Sequence, residues 1–110
     1  MNAAALNAPL TIPGKMSYRA TFADGQVITR KSHREYNAAW KMVFKVWQPK
    51  DDPTPAALHT KTGFARTKEL AERARVSEGP RGSWDPRRKC WMFEPERIVS
   101  FEVVETEYLG

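Results

Sequence analysis

Ser32-His33-Arg34-Glu35-Tyr36-Asn37-Ala38-Ala39-Trp40-Lys41-Met42-Val43-Phe44-Lys45-Val46-Trp47 is the stretch whose reading decides the fold. It opens on a Ser-x-x-Glu capping box: the Ser32 hydroxyl would accept the Glu35 N–H while the Glu35 carboxylate reaches back. Tyr36, Ala39, Trp40, Val43, Phe44 and Trp47 recur at helical spacing and make one wide apolar stripe, with its core on Trp40 and Trp47. Arg34, Asn37, Lys41 and Lys45 fall on the opposite face, and Pro49 stops the run. The spacing therefore predicts an amphipathic helix.

Working upstream, Tyr18, Ala20 and Phe22 lead into Asp24-Gly25 and then Val27, Ile28 and Thr29, a strong hairpin signal. Two registers fit. A two-residue turn pairs Phe22 with Val27 and sets Arg19 opposite Arg30; a three-residue loop with Gly25 left-handed pairs Ala20 with Ile28. Opposed like charges disfavour the first without deciding the matter. Residues 1–15 have no helical or strand period and read as a flexible arm, leaving residues 16–110 as a single domain.

Downstream, residues 48–55 (QPKDDPTP) read as a proline-rich internal linker loop, and residues 56–62 as a short extended piece without a firm assignment. A second helix is expected from about Thr67 to Ser77, with Leu70, Ala71 and Ala74 facing inward. Residues 78–88 read as a loop by their Gly, Pro and Ser content, and residues 89–93 as a short strand. From Arg97 to Tyr108, Val99, Phe101 and Val103 alternate with Ser100, Glu102 and Val104, the pattern of a half-buried strand. This order predicts an α+β fold: a small antiparallel sheet of three to four strands, built from the N-terminal hairpin and the C-terminal strand, packed against two helices.

The net charge of +5 is unevenly placed. Residues 94–110 carry Arg97 against five glutamates, a net of −4, so residues 1–93 carry +9. A basic body points to an acidic partner, either nucleic acid or an acidic protein face. No run approaches the ~18 apolar residues that a membrane span needs. With one cysteine and no secretion signal in the first fifteen residues, a cytoplasmic protein is expected.

Recognisable catalytic patterns are scarce. Cys90, His33 and His59 show no metal-ligand spacing, so no metal site is expected. Arg87-Arg88-Lys89 would lower the pKa of a neighbouring thiol, yet Cys90 between Lys89 and Trp91 reads first as a small core residue. Gly79-Pro80-Arg81-Gly82 lacks the spacing of a phosphate loop, and Asp51-Asp52 lie between prolines in the linker. No cofactor is implied, and the expectation is a binding protein rather than an enzyme.

The strongest candidate site is Arg81-Gly82-Ser83-Trp84-Asp85-Pro86-Arg87-Arg88-Lys89-Cys90-Trp91. Guanidinium and ammonium groups interleaved with indoles suit nucleic acid, since cations hold phosphates while indoles stack on bases. The same composition suits a protein hot spot docking on an acidic surface. Arg81, Trp84, Arg87, Arg88 and Lys89 are the candidate binding residues. A second patch would join Arg19 and Arg30 of the hairpin to Arg34, Lys41 and Lys45 of the first helix, where a merely solvated helix face is the competing reading.

Phe22-x-Asp24-Gly25-x-x-x-Thr29-Arg30-x-Ser32-x-Arg34-x-Tyr36-x-x-Ala39, with Gly63-Phe64-Ala65-Arg66, resembles a pattern in short accessory proteins of bacteriophages and prophages. The resemblance implies a phage-encoded protein that engages a host nucleic acid, protein or nucleoprotein complex. Anti-defence proteins, anti-CRISPR proteins among them, are one such class. It implies no catalytic or ligand residues.

Overall fold

The computed structural model of the chain describes residues 16–110, and the arm expected over residues 1–15 lies outside them. Strands β1 (Met16–Thr21) and β2 (Val27–Ser32) form the hairpin around Asp24-Gly25. Ala20 pairs with Ile28, the register of the three-residue loop, and Arg19 faces Thr29 rather than Arg30. The Phe22 N–H donates to the Gln26 carbonyl and the Gly25 N–H to the Phe22 carbonyl, both at 2.9 Å. Gly25 closes the loop at φ 88°, a left-handed conformation that a residue without a β-carbon adopts at no steric cost.

The expected first helix is a strand. Ser32 ends β2, and its hydroxyl accepts the Arg34 N–H at 2.9 Å in a local turn, so no capping box forms with Glu35. Strand β3 (Ala38–Lys45) follows and pairs antiparallel on both sides: with β4 (Leu58–Ala65) on one and β7 (Ile98–Glu105) on the other. A short apolar run fits helical and strand periods alike, and the aromatic and β-branched content here favours the strand. Burial on both faces removes the polar alternation that would have marked it. Ala38, Trp40 and Met42 are buried on one face, and Ala39 is fully buried on the other.

Those two faces hold the two cores. Trp40 and Met42 pack with Ala71 and Ala74 of α1 (Lys68–Ser77), bordered by Phe44, Ala65, Ile98, Phe101 and Val103. Ala39 packs with Ala20 and Phe22, bordered by Ile28, Phe64 and Val104. The central sheet, ordered β4-β3-β7, thus lies between α1 and the N-terminal sheet, ordered β2-β1-β8, with β8 at Glu107–Tyr108. A third antiparallel pair, β5 (Arg81–Asp85) and β6 (Cys90–Phe93), completes the described residues. Among the described residues, three small sheets and one α-helix replace the expected sheet covered by two helices.

The helix at Lys68–Ser77 is where the sequence places it, capped by the Thr67 hydroxyl accepting the Leu70 N–H at 3.1 Å. Leu70, expected inside, is exposed, and only Ala71 and Ala74 are buried. The close approach these alanines allow, and the Lys61 ammonium hydrogen-bonded to Glu78 at the C-terminal end, seat the helix on the sheet. The expected loop at 78–88 contains β5, and the linker at 48–55 connects β3 to β4, closed by the Val46 N–H donating to Ala57 O at 2.8 Å.

The C-terminal strand divides. Val43 pairs with Ser100 but Phe44 with Ile98, so Val99 is the extra residue of a bulge. Ile98 thereby joins Phe101 and Val103 on the helix side, while Val99, expected inward, is left exposed. At Thr106, whose hydroxyl donates to Tyr36 O at 2.7 Å, the chain leaves the central sheet, and β8 pairs with β1.

Candidate functional site

The β5–β6 hairpin is built by its turn. Asp85 pairs with Cys90 across the four residues Pro86–Lys89. The Asp85 carboxylate accepts the Arg87 N–H at 2.9 Å and the Arg88 N–H at 3.2 Å, and its carbonyl accepts the Lys89 N–H at 2.7 Å. Lys89 stands at φ 53°, the left-handed position that reverses the chain. Arg87, Arg88 and Lys89 are therefore displayed together at the tip, all exposed. Arg88 lies 3.7 Å from Asp85, a loose pair in which the exposed Arg88 guanidinium stays available.

Behind the turn, Trp84 and Trp91 are cross-strand partners, their ring centroids 5.1 Å apart at 67°. This edge-to-face pair is worth about 0.5–1.5 kcal/mol beyond burial. It leaves the indoles largely in solvent, at 47% and 60% exposure. Trp47, expected in the core, is 56% exposed and lines a groove of about 380 Å³ with Trp91, Arg81, Gly82 and Ser83. Of the four tryptophans, only Trp40 is core.

What sets Trp47 beside the hairpin is Arg97. Its Nε donates to Lys45 O at 2.9 Å, its Nη1 to Arg81 O at 3.0 Å and to Glu94 Oε1 at 2.6 Å. The pair is largely buried, at 15% and 17% side-chain exposure, so one guanidinium ties the end of β3 to the start of β5. Gly82 lies against the Glu94 carboxylate so closely that a β-carbon would fall 2.1 Å from it. The register slips between Arg81 and Trp84, giving β5 one extra residue there. Arg81 itself serves the scaffold: its Nη2 donates to Val76 O at 2.9 Å, and the guanidinium lies 5.3 Å from the Phe93 centroid.

The residues of the second expected patch do not converge. Arg19 pairs with Glu107 at 2.8 Å, and Arg30 points to the other face of the N-terminal sheet, 5.4 Å from the Tyr36 ring centroid. Lys41 is bound to Asp24 and lies over Phe22, its side chain only 12% exposed. Lys45 is exposed at the end of β3, and Arg34 stands in the β2–β3 connection at the opposite end of that strand. With the helix gone, the face that would have gathered them does not exist.

Cys90, expected in the core, is exposed at the hairpin tip. His59 packs on Phe44, centroids 5.3 Å apart, and His33 borders a different groove. Among the described residues no group of three His, Cys, Asp or Glu side chains is placed to hold a metal ion. No described helix is long and apolar enough to cross a membrane. Trp47 escaped the sequence reading because it continued the apolar stripe; its place two residues before Pro49 was the available signal. Comparisons of the chain with protein-family models, curated proteins and solved structures find no match.

Proposed function

We propose that this chain is a non-enzymatic, cytoplasmic binding protein that takes a single-stranded segment of nucleic acid on the β5–β6 hairpin. Trp84, Trp91 and Trp47 supply stacking surfaces, and Arg87, Arg88 and Lys89 neutralise phosphates. The observation that carries this reading is the exposed Trp84–Trp91 pair directly behind three cations. Large exposed aromatic surface is disfavoured in water and marks a surface that a partner covers. A single strand is favoured over a duplex because indole faces need unstacked bases. The overall charge of +5 assists the encounter. The resemblance to phage accessory proteins adds a host nucleoprotein complex as the setting, and interference with a host defence as the consequence.

Tryptophan quenching by a single-stranded oligonucleotide, titrated at several salt concentrations, tests the reading. Three phosphate contacts predict a log–log slope of about −2, at roughly 0.7 per contact for single strands. Binding that ignores salt, or none at all, would overturn it and favour an acidic protein surface as the partner.

A further inference from the structure

A second groove, of about 810 Å³, lies at the other end of the central sheet. It is lined by His33, Arg34 and Tyr36 of the β2–β3 connection and by Phe64 and Arg66 at the end of β4. Two aromatic rings lie together in it: Tyr36 and Phe64 have centroids 5.6 Å apart at 37°. Glu35 is the one acid on its walls. Among the described residues, none of Arg30, Arg34 and Arg66 has a carboxylate within 4.0 Å. The two guanidiniums that line the groove, Arg34 and Arg66, stand beside this aromatic pair and present two recognition elements together, a planar surface and a fork for an oxyanion.

We infer that this groove binds a nucleoside phosphate, its base over Tyr36 and Phe64 and its phosphate between Arg34 and Arg66. Guanidiniums meet phosphate oxygens bidentately, and an aromatic floor accepts any base by its π-face. The source is a free nucleotide or the end of a nucleic-acid strand. This site does not rest on the hairpin reading, because the length of β3, about 23 Å at the usual strand rise, separates the two.

The test is amide-resolved NMR of the full chain titrated with a nucleoside 5′-monophosphate, with a 5′-phosphorylated single-stranded oligonucleotide, and with inorganic phosphate. The mononucleotide should shift the amides of residues 33–36 and 64–66 saturably. An Arg34→Ala/Arg66→Ala variant should weaken it at least about tenfold, the scale of losing one charge-assisted contact. Both arginines are exposed, so the variant keeps its fold. Tyr36→Leu should weaken the mononucleotide and leave inorganic phosphate unchanged. The oligonucleotide reaching the same amides more tightly identifies a strand end as the source; the mononucleotide alone reaching them identifies a free nucleotide. Trp84→Ala should leave the mononucleotide-induced shifts at residues 33–36 and 64–66 intact, so failure at either site is seen separately. Absence of localised shifts with the mononucleotide and with the oligonucleotide, or shifts that survive the double arginine variant, would overturn the inference.

Discussion

The Trp40 indole covers Gly63 so closely that a β-carbon at residue 63 would lie 2.7 Å from the ring. The two residues are cross-strand partners in the centre of the middle sheet, and Trp40 is 6% exposed. The ring is held between α1 and its own sheet. Gly63→Ala should therefore destabilise the protein by about 1–3 kcal/mol as overpacking. Trp40→Ala should cost about 3–5 kcal/mol by leaving a cavity. Denaturant unfolding reads both. Unchanged stability in Gly63→Ala would mean that the indole does not sit where the structure puts it.

Arg97 joins Lys45 and Arg81 through their carbonyls and neutralises Glu94. Arg97→Lys keeps the charge but loses the fork, and should cost about 1–3 kcal/mol. For a domain of this size each kcal/mol lowers the melting temperature by about 4–8 °C. Because the hairpin would also lose its register against Trp47, tryptophan emission should shift before the global transition. A single transition with unchanged native emission would show that the hairpin is held by something else.

Arg87→Ala/Arg88→Ala should reduce the salt slope of oligonucleotide binding by about 1.4, at roughly 0.7 per lost phosphate contact. Their backbone N–H bonds to Asp85 remain, so circular dichroism and melting should stay as they were. Arg81 is kept out of this variant because it holds Val76 and Phe93. Trp84→Ala should weaken the same binding by about 1–3 kcal/mol, the range of one base–aromatic stack. An unaltered slope in the arginine variant would remove phosphate contact from the account of the hairpin.

Lys89 holds a left-handed backbone that costs a side-chain-bearing residue about 1 kcal/mol or more. Lys89→Gly should relieve it and raise the melting temperature, while weakening oligonucleotide binding by the loss of one cation. Stability and affinity moving in opposite directions is the expected outcome, read by calorimetry and by quenching on the same sample. A fall in both would mean the turn does not have this geometry.

The hydrogen bond from Lys41, helped by the Gln26 N–H, holds the Asp24 carboxyl below its ordinary value of 3.8. The folded state thus keeps its carboxylate to lower pH than the unfolded chain does. That contribution is complete above the ordinary value and is lost as pH falls through the folded one. The stability difference between the wild type and Asp24→Asn should accordingly be present at neutral pH and close on acidification below about pH 4. A difference that stays constant down to pH 2.5 would detach the Lys41 contact from the fold.

What the sequence determined by itself was local. Asp24-Gly25 specified a turn and residues 67–77 a helix, because each depends on interactions within a few residues. The basic and aromatic composition of residues 81–91 was equally visible, although its hairpin was not, since the Trp84–Trp91 pairing and the Asp85 turn act together. Residues 38–45 went the other way. Their apolar spacing fits a helix, and only β4 and β7, arriving from residues 58–65 and 98–105, satisfy their backbone as a central strand. The same partners decided that Trp40 is core and Trp47 surface, and brought Tyr36 and Arg34 to Phe64 and Arg66. A strand's hydrogen bonds lie with residues distant in sequence, so its identity and its neighbours are settled by the assembled sheet rather than by the segment.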